Sequence, residues 1–434
     1  MTHSNLQIHY KSIFKSIRSN KTKQLYFLIG SMLIISYDTY WFGTSGIKIF
    51  EVLRNLFAVC LPIGIYVKYP HTKFTMLGSM LLFLLVSVIS LSSLFNENSI
   101  SAPLLIFSGI FVGFYLVTKY SFYSVAKCFA NIIIVISFYS FIVWIGCATG
   151  HITMSETTNI ADNSVFTAFG CVFFSSVGDV FLRNSAIFRE PGVYMIVLNF
   201  AIMFELFVLK DKHMWTRVVI LITAMISLFS TGGFICVALT LVTYSIRSPR
   251  GIMIIILLSA LLSMIIIPTI DDEILELVFY NKFDEMETSG SGFARMSSFF
   301  IPLEIFLDYP LLGCGFKQFE VEYVKEAFIL YGRYVDPHGM SSNTIMNIFA
   351  IWGAVFGVFV VYGFFKLSRL ISYHKSILIA LLLCTDLFMM FSNENMPYWP
   401  FMYIFLLYGI TTKNPNSTSI KNYESEYSYL VPRV

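Results

Sequence analysis

The residues best suited to chemistry stand in two polar intervals, and the first interval holds a compact group of charges. Phe188-Arg189-Glu190-Pro191-Gly192 directly precedes a long apolar segment, and Arg183 lies just upstream. Because proline is favoured at the first helical position, we expect a helix to begin at Pro191 with unpaired N–H groups. Such an end attracts anions, and arginine donates to phosphate oxygens in a fork. The group predicts a phosphate or diphosphate site; the alternative is that Glu190 only caps the helix and pairs with Arg189.

The second interval adds another arginine and a histidine. Arg295 follows the Gly/Ser-rich turn Ser289–Gly292 and begins an amphipathic stretch, which suits a second anion contact or attraction to lipid headgroups. His338 stands shortly before the next apolar segment. Imidazole titrates near pH ~6.5 and can accept a proton from a hydroxyl at neutral pH. His338 is therefore the candidate general base, with Glu190 as its rival; the alternative is a solvated loop histidine.

Metal and cofactor sites are not indicated by any pattern in the sequence. The acidic run Asp271-Asp272-Glu273 suits the first turn of a helix better than a metal site. The seven cysteines show neither CxxC nor zinc-like spacing. No GxxxxGK[ST] or GxGxxG motif occurs. We therefore predict no metal, no cofactor and no bound nucleotide, so that any reaction must use a substrate that is already activated.

The elements that position these residues are membrane helices. Hydrophobic residues make up 56% of the 434 and charged residues 13%, which is too little charge to cover a soluble globule of this size. The net charge of +3 does not indicate a nucleic-acid partner. At roughly 20 apolar residues a span, we predict an all-α polytopic membrane protein with about twelve helices, at 25–42, 47–67, 74–94, 103–119, 126–149, 191–209, 216–230, 233–246, 251–268, 343–366, 376–391 and 397–412.

The distribution of basic residues orients these spans. If the N-terminus is cytoplasmic, 20 of the 29 lysines and arginines fall in segments on the inner side, as the positive-inside rule requires. Both polar intervals then face outward, and we expect them to meet and form one site. The predicted regions are a cytoplasmic N-terminus (1–24), nine helices with an outer loop at about 150–190 (25–268), a large outer loop (269–342), three helices (343–412) and a cytoplasmic tail (413–434).

Five segments, taken in order, resemble the O-antigen polymerase and O-antigen ligase families of bacterial envelopes. Arg189-Glu190-Pro191-Gly192 opens a span, and Arg295 begins an outer helix. The other three segments are Ser230-Thr231-Gly232-Gly233, Tyr309-Pro310-Leu311-Leu312-Gly313-Cys314-Gly315-Phe316, and Pro337-His338-Gly339-Met340-Ser341-Ser342-Asn343 leading into Ile351-Trp352-Gly353. The resemblance covers roughly residues 180–360. The Glu-Pro-Gly form is more like polymerases, whereas Gly232-Gly233 replaces the Ser-Arg usual in ligases, and four residues separate His338 from Asn343.

The resemblance implies a GT-C-like glycosyltransferase at the periplasmic face of the bacterial inner membrane. Its substrates would be undecaprenyl-diphosphate-linked oligosaccharides, whose sugar is transferred without a metal. Arg189, Arg295 and Arg183 are expected to bind the diphosphate, and His338 or Glu190 to accept the proton of the acceptor hydroxyl. Membrane lipids are further partners, together with a chain-length-regulating co-polymerase.

Two other functions fit a chain of this kind. A ligase would transfer the polysaccharide to lipid A-core instead of to another repeat unit. A flippase for lipid-linked saccharides also has about twelve spans, but it is expected to have short outer loops. The long interval 269–342 therefore favours the polymerase.

Overall fold

A computed structural model describes residues 20–69, 76–96, 101–160, 164–175, 182–247, 291–335, 341–373 and 376–412 of the chain. These residues form an α-rich multi-pass membrane protein with one small sheet. The helices are α1 (20–34), α2 (Lys48–Lys68), α3 (Met76–Phe95), α4 (Ser101–Lys119), α5 (Phe122–Ala148), α6 (Pro191–Met203), α7 (Met214–Ile226), α8 (Thr231–Arg247), α9 (Ser291–Asp308), α10 (Phe316–Tyr331), α11 (Thr344–Ile371), α12 (Ile377–Ser392) and α13 (Pro400–Thr411).

Within the described ranges, six helices are long and apolar enough to cross a membrane. They are α2 to α5, α6 with its π-helical continuation Phe204–Leu209, and α11, while α7, α8, α12 and α13 are shorter apolar helices. Six is fewer than the predicted twelve spans. The predicted span 25–42 is helical only to residue 34 and resumes as a π-helical turn at Tyr40–Thr44. The predicted span 251–268 lies outside the described residues.

The expectation of an all-α fold was wrong for the interval 150–190, which holds an antiparallel meander. Its strands are β1 (Ser155–Thr158), β2 (Ser164–Ala168), β3 (Cys171–Ser175) and β4 (Leu182–Ala186), paired in chain order. Phe169 and Gly170 both have positive φ in the two-residue turn between β2 and β3, the geometry that suits the twist of a tight hairpin. The sheet packs on the end of α5, where Trp144 Nε1 donates to the carbonyl of Leu182 at 2.7 Å.

Helix α6 lies at the centre of the core. It is buried on all sides, which explains why its sequence is apolar around the whole circumference. Aromatic rings from α5 and α13 pack against those of α6 and its π-helical continuation. For example, the ring centroids of Phe200 in α6 and Phe405 in α13 are 5.2 Å apart. By contrast, α2 is mostly exposed and apolar, as expected of a helix that faces lipid. The segments that flank α6 are thus held by a rigid centre.

Helix α11 is broken at Gly353, and the connector between α9 and α10 fills the break. Gly353 has a φ of 79°, and a Cβ there would lie 2.1 Å from the carbonyl oxygen of Leu311. Across the break, Cys314 N donates to Ala350 O at 2.9 Å and Ala354 N donates to Pro310 O at 2.8 Å. Backbone groups freed inside a membrane helix require partners of this kind. The two resemblance segments at 309–316 and 351–353 therefore touch each other directly.

The two ends of the helix bundle differ in charge. At one end, basic side chains pair with acidic or aromatic ones: Lys127 Nζ lies 3.1 Å from Asp211 Oδ2, and Arg217 Nε donates to Glu205 Oε1 at 2.8 Å. At the other end, the starts of α6, α8, α11 and α13 gather around the segment 393–399, to which Thr344 donates a hydrogen bond at the carbonyl of Glu394. This second end holds the candidate site.

Candidate functional site

One cavity of about 170 Å³ opens at this end, and residues from both polar intervals line it. Arg189 and Glu190 come from the first interval, while α10 and the start of α11 contribute from the second. The predicted meeting of the two intervals is confirmed. The complete lining is Tyr37, Arg189, Glu190, Phe316, Phe319, Glu320, Ser341, Ser342, Ile351, Glu394, Asn395, Pro397 and Tyr398.

Arg189 is fixed in the cavity wall by three groups. Its Nη1 donates to Glu190 Oε1 at 2.8 Å, and its Nη2 donates to the carbonyl of Asn395 at 2.6 Å. Its Nε lies 3.8 Å from Oδ1 of the fully buried Asp38. Burial acts to lower the pKa of the Arg189 guanidinium, but the carboxylates of Glu190 and Asp38 raise it above its usual value. Arg189 therefore stays charged and is held in one orientation.

Glu394 fills the space at the start of α6, where the sequence predicted a phosphate. As predicted, α6 begins at Pro191. A Cβ on Gly192 would lie only 1.5 Å from Glu394 Oε1, so glycine is what lets this carboxyl approach the helix end. Glu394 retains some exposure to the cavity, while its carboxyl lies deep among protein atoms. The side chain of the protein itself thus occupies part of the anion site predicted from the sequence.

Glu190 and Glu394 form a hydrogen-bonded carboxyl pair. Burial raises the pKa of Glu394 above its usual range, and the neighbouring charge of Glu190 raises it further; Arg189 and Arg183 act in the opposite direction. Two carboxylates in contact share a proton because both cannot easily ionise. Glu190 also accepts a hydrogen bond from Arg189 Nη1 at 2.8 Å, so the carboxyl pair is tied to the guanidinium.

Arg183 lies on β4, behind the carboxyl pair. Its Nε donates to the carbonyl of Leu228 at 3.0 Å, and its charge acts on Glu394 and Glu190. Burial lowers the pKa of Arg183, an effect that these two carboxyls oppose. The small-residue turn at 230–233 lies in the same place, since a Cβ on Gly232 would contact the Asn393 side chain at 3.2 Å. Two of the resemblance segments, 189–192 and 230–233, therefore meet at Glu394 and its neighbours.

Arg295 lies in the first turns of α9, a helix at the predicted amphipathic stretch that begins earlier, at Ser291, within the turn expected at Ser289–Gly292. Its side chain is exposed, and within the described ranges it forms no ion pair. One turn further on, Ser298 accepts a hydrogen bond at 3.3 Å from Ser342, which lines the cavity. Arg295 thus stands on a helix that is tied to the cavity wall, without being among the lining residues itself.

His338 and the flanking residues 336–340 lie outside the described residues. The described chain resumes at Ser341, which is buried, lines the cavity and donates to Asn347 Oδ1 at 2.9 Å. Asn343 caps α11 by accepting from Met346 N at 3.1 Å, as expected from its position. For the acidic run 271–273, which also lies outside the described residues, the structure gives no placement.

Sequence reasoning missed the residues of the opposite wall, above all Glu394, Asn395, Tyr37 and Tyr398. Glu394 stands in the short segment Asn393-Glu394-Asn395 between two apolar helices, and a carboxylate in so short a connection was the available signal. Tyr37 and Tyr398 gave no signal, because aromatic residues are frequent in membrane helices and at their ends. Their rings pack edge to face with centroids 5.3 Å apart.

No family model matches this chain, and no curated protein matches it significantly.

Proposed function

We propose that this protein is an O-antigen polymerase. It would join undecaprenyl-diphosphate-linked oligosaccharide units at the periplasmic face of the bacterial inner membrane, within a GT-C-like bundle of about twelve spans. The observation that carries the proposal is convergence. Segments that carry the resemblance contribute the following lining residues to one charged cavity at one end of the bundle: Arg189, Glu190, Phe316, Ser341, Ser342 and Ile351. The turn at 230–233 packs against Asn393 beside it.

The charge distribution supports the orientation of this site. Lys68, Lys119, Lys127 and Arg217 all lie at the bundle end opposite the cavity. The positive-inside rule favours a cytoplasmic position for such residues and therefore supports the proposal that the cavity faces the periplasm. A reaction there has no access to nucleotide sugars, so its donor must be carried by a lipid.

The proposed reaction is glycosyl transfer with a diphosphate leaving group. The acceptor hydroxyl attacks the anomeric carbon, a new C–O bond forms, and the bond from that carbon to the diphosphate oxygen breaks with its electron pair. Positive groups stabilise the departing diphosphate. Arg295 is the main contact in this proposal because it is exposed and unpaired within the described part of the chain, whereas Arg189 and Arg183 already donate to protein carbonyls.

The proton of the acceptor hydroxyl needs a base, and the two candidates are His338 and Glu190. In favour of His338 is its place three residues before Ser341, a lining residue. In favour of Glu190 is its own place in the cavity. We expect His338→Ala to reduce polymer formation strongly; normal polymer ladders from this variant would assign the base to Glu190.

A deletion strain tests the proposed function. Loss of a polymerase leaves lipopolysaccharide that carries core plus one repeat unit, whereas loss of a ligase leaves bare core. An unchanged long-chain ladder would contradict both functions. Transport of purified lipid-linked units without their turnover would show a flippase instead.

A further inference from the structure

We infer that the cavity binds the attacking sugar of the acceptor, an uncharged saccharide, and that the donor diphosphate binds outside it on the Arg295 side. This inference rests on the proposed function and identifies which part of the substrates this cavity takes. Its principal residues are Glu394, Glu190, Asn395 and the aromatic pair Tyr37 and Tyr398.

Among the described residues that line the cavity, none offers a diphosphate an unengaged cation. Three carboxyl side chains, from Glu190, Glu320 and Glu394, line the cavity against the single guanidinium of Arg189. Arg189 is already engaged by Glu190, by Asp38 and by the carbonyl of Asn395. Placing a diphosphate beside these carboxyl groups, with no unengaged cation in the described lining, costs binding free energy. The helix end that would offset this cost is occupied by Glu394.

The same lining offers what a sugar requires. Carboxyl and amide oxygens accept hydrogen bonds from hydroxyl groups, and the lining serines both donate and accept them. Asn395 lines the cavity, and its Oδ1, which is buried, has no hydrogen-bond partner among the described residues. The rings of Tyr37 and Tyr398 supply apolar faces for the C–H groups of a pyranose. A volume of about 170 Å³ is large enough for a sugar ring.

Two variants separate sugar binding from folding. Asn395→Ala removes an amide oxygen that bonds to no described residue, while the backbone carbonyl that binds Arg189 remains. Glu394→Gln keeps the shape of the side chain and removes its acidic group. Glu156→Gln, on the exposed strand β1 and away from the cavity, is the matched control.

The experiment measures the affinities of two probes for the full-length protein in nanodiscs by saturation-transfer NMR titration. One probe is the free oligosaccharide released by mild acid from the lipid-linked units that a deletion strain accumulates. The other is undecaprenyl diphosphate. We expect Asn395→Ala and Glu394→Gln each to weaken oligosaccharide binding about fivefold to tenfold, the loss typical of one or two hydrogen bonds, and to leave undecaprenyl diphosphate binding within twofold. Arg295→Ala should give the reverse pattern, and Glu156→Gln should change neither.

The inference is overturned if Asn395→Ala and Glu394→Gln weaken undecaprenyl diphosphate binding, or if neither changes oligosaccharide binding. If one variant does not fold, the other decides the question, because they alter different side chains. Failure of the proposed function has a different signature: the wild-type protein would bind the oligosaccharide through these residues but form no polymer from lipid-linked units.

Discussion

Replacing Gly192 with alanine tests whether Glu394 is held at the start of α6. The new Cβ would lie 1.5 Å from Glu394 Oε1 and 2.3 Å from its Cδ, whereas ordinary contacts begin at 3.4 Å. The carboxyl must therefore move by about 2 Å, away from Glu190 and into the cavity. Gly192 has no positive φ, so the backbone itself accepts alanine.

The expected change in the free energy of unfolding is the difference between a packing cost and a gain in helix propensity. Overpacking of this kind costs about 1–3 kcal/mol, while alanine in a helix gains about 0.5–1 kcal/mol over glycine. We expect Gly192→Ala to lower the free energy of unfolding by about 1–2 kcal/mol. Gly64 in α2 is the matched control, because a Cβ there meets no atom within 4 Å; Gly64→Ala should stabilise by up to about 1 kcal/mol.

Reversible unfolding in mixed SDS–detergent micelles measures both variants, and a double-mutant cycle with Glu394→Ala isolates the clash. In the Glu394→Ala background, Gly192→Ala should no longer destabilise, which gives a coupling free energy of about 1–3 kcal/mol. If Gly192→Ala behaves like Gly64→Ala, or remains equally destabilising without Glu394, the placement of Glu394 against the α6 start is wrong.

Three further predictions concern charge, backbone and pH. Arg295→Ala should abolish polymer while the protein still inserts into the membrane. Arg295→Lys should restore little polymer, because lysine lacks the fork of donors that arginine offers a diphosphate. Silver-stained ladders measure the polymer and membrane fractionation measures insertion; full activity of either variant would contradict the diphosphate role. Gly353→Ala should lower the free energy of unfolding by more than about 3 kcal/mol, because Gly353 has a φ of 79° and the new Cβ would lie 2.1 Å from Leu311 O. The yield of folded protein on size exclusion measures this loss. A wild-type yield would contradict the contact between the 309–315 connector and α11. Burial and the neighbouring Glu190 raise the pKa of Glu394 from 4.5 to about 8. Between these pH values the folded state binds more protons than the unfolded state, so stability falls as the pH rises through them. The free energy of unfolding of Glu394→Gln should depend less steeply on pH, and a slope identical to that of the wild type would exclude this titration.

The sequence predicted the parts of the fold that depend on local patterns. Apolar runs of span length became helices, the proline rule placed the start of α6 at Pro191, and Asn343 caps α11. The polar intervals were correctly expected to meet. Each of these features follows from residues that are close together in the chain or from the geometry of the membrane.

The parts that depend on distant contacts were not predicted. Glu394 is more than 200 residues from Arg189, and only the packed bundle brings the two together. The sheet was missed because its strands are short and lie in an interval read as a polar loop, although the two-residue turn at Phe169 and Gly170 is compatible with a hairpin. Likewise, the break at Gly353 needs the connector 309–315, and nothing near Gly353 in the sequence announces that partner.

The crossing of the 309–315 connector with α11 determines how the cavity wall can move. Because this connector joins α9 to α10 and is bonded by its backbone across the break in α11, the three helices form one mechanical block. Glu320, Ser342 and Arg295 must then travel together, with their spacing preserved. Sliding or tilting of this block against α6 and the 393–399 segment, as in shear motion, would change the width of the cavity without changing the spacing of these three residues.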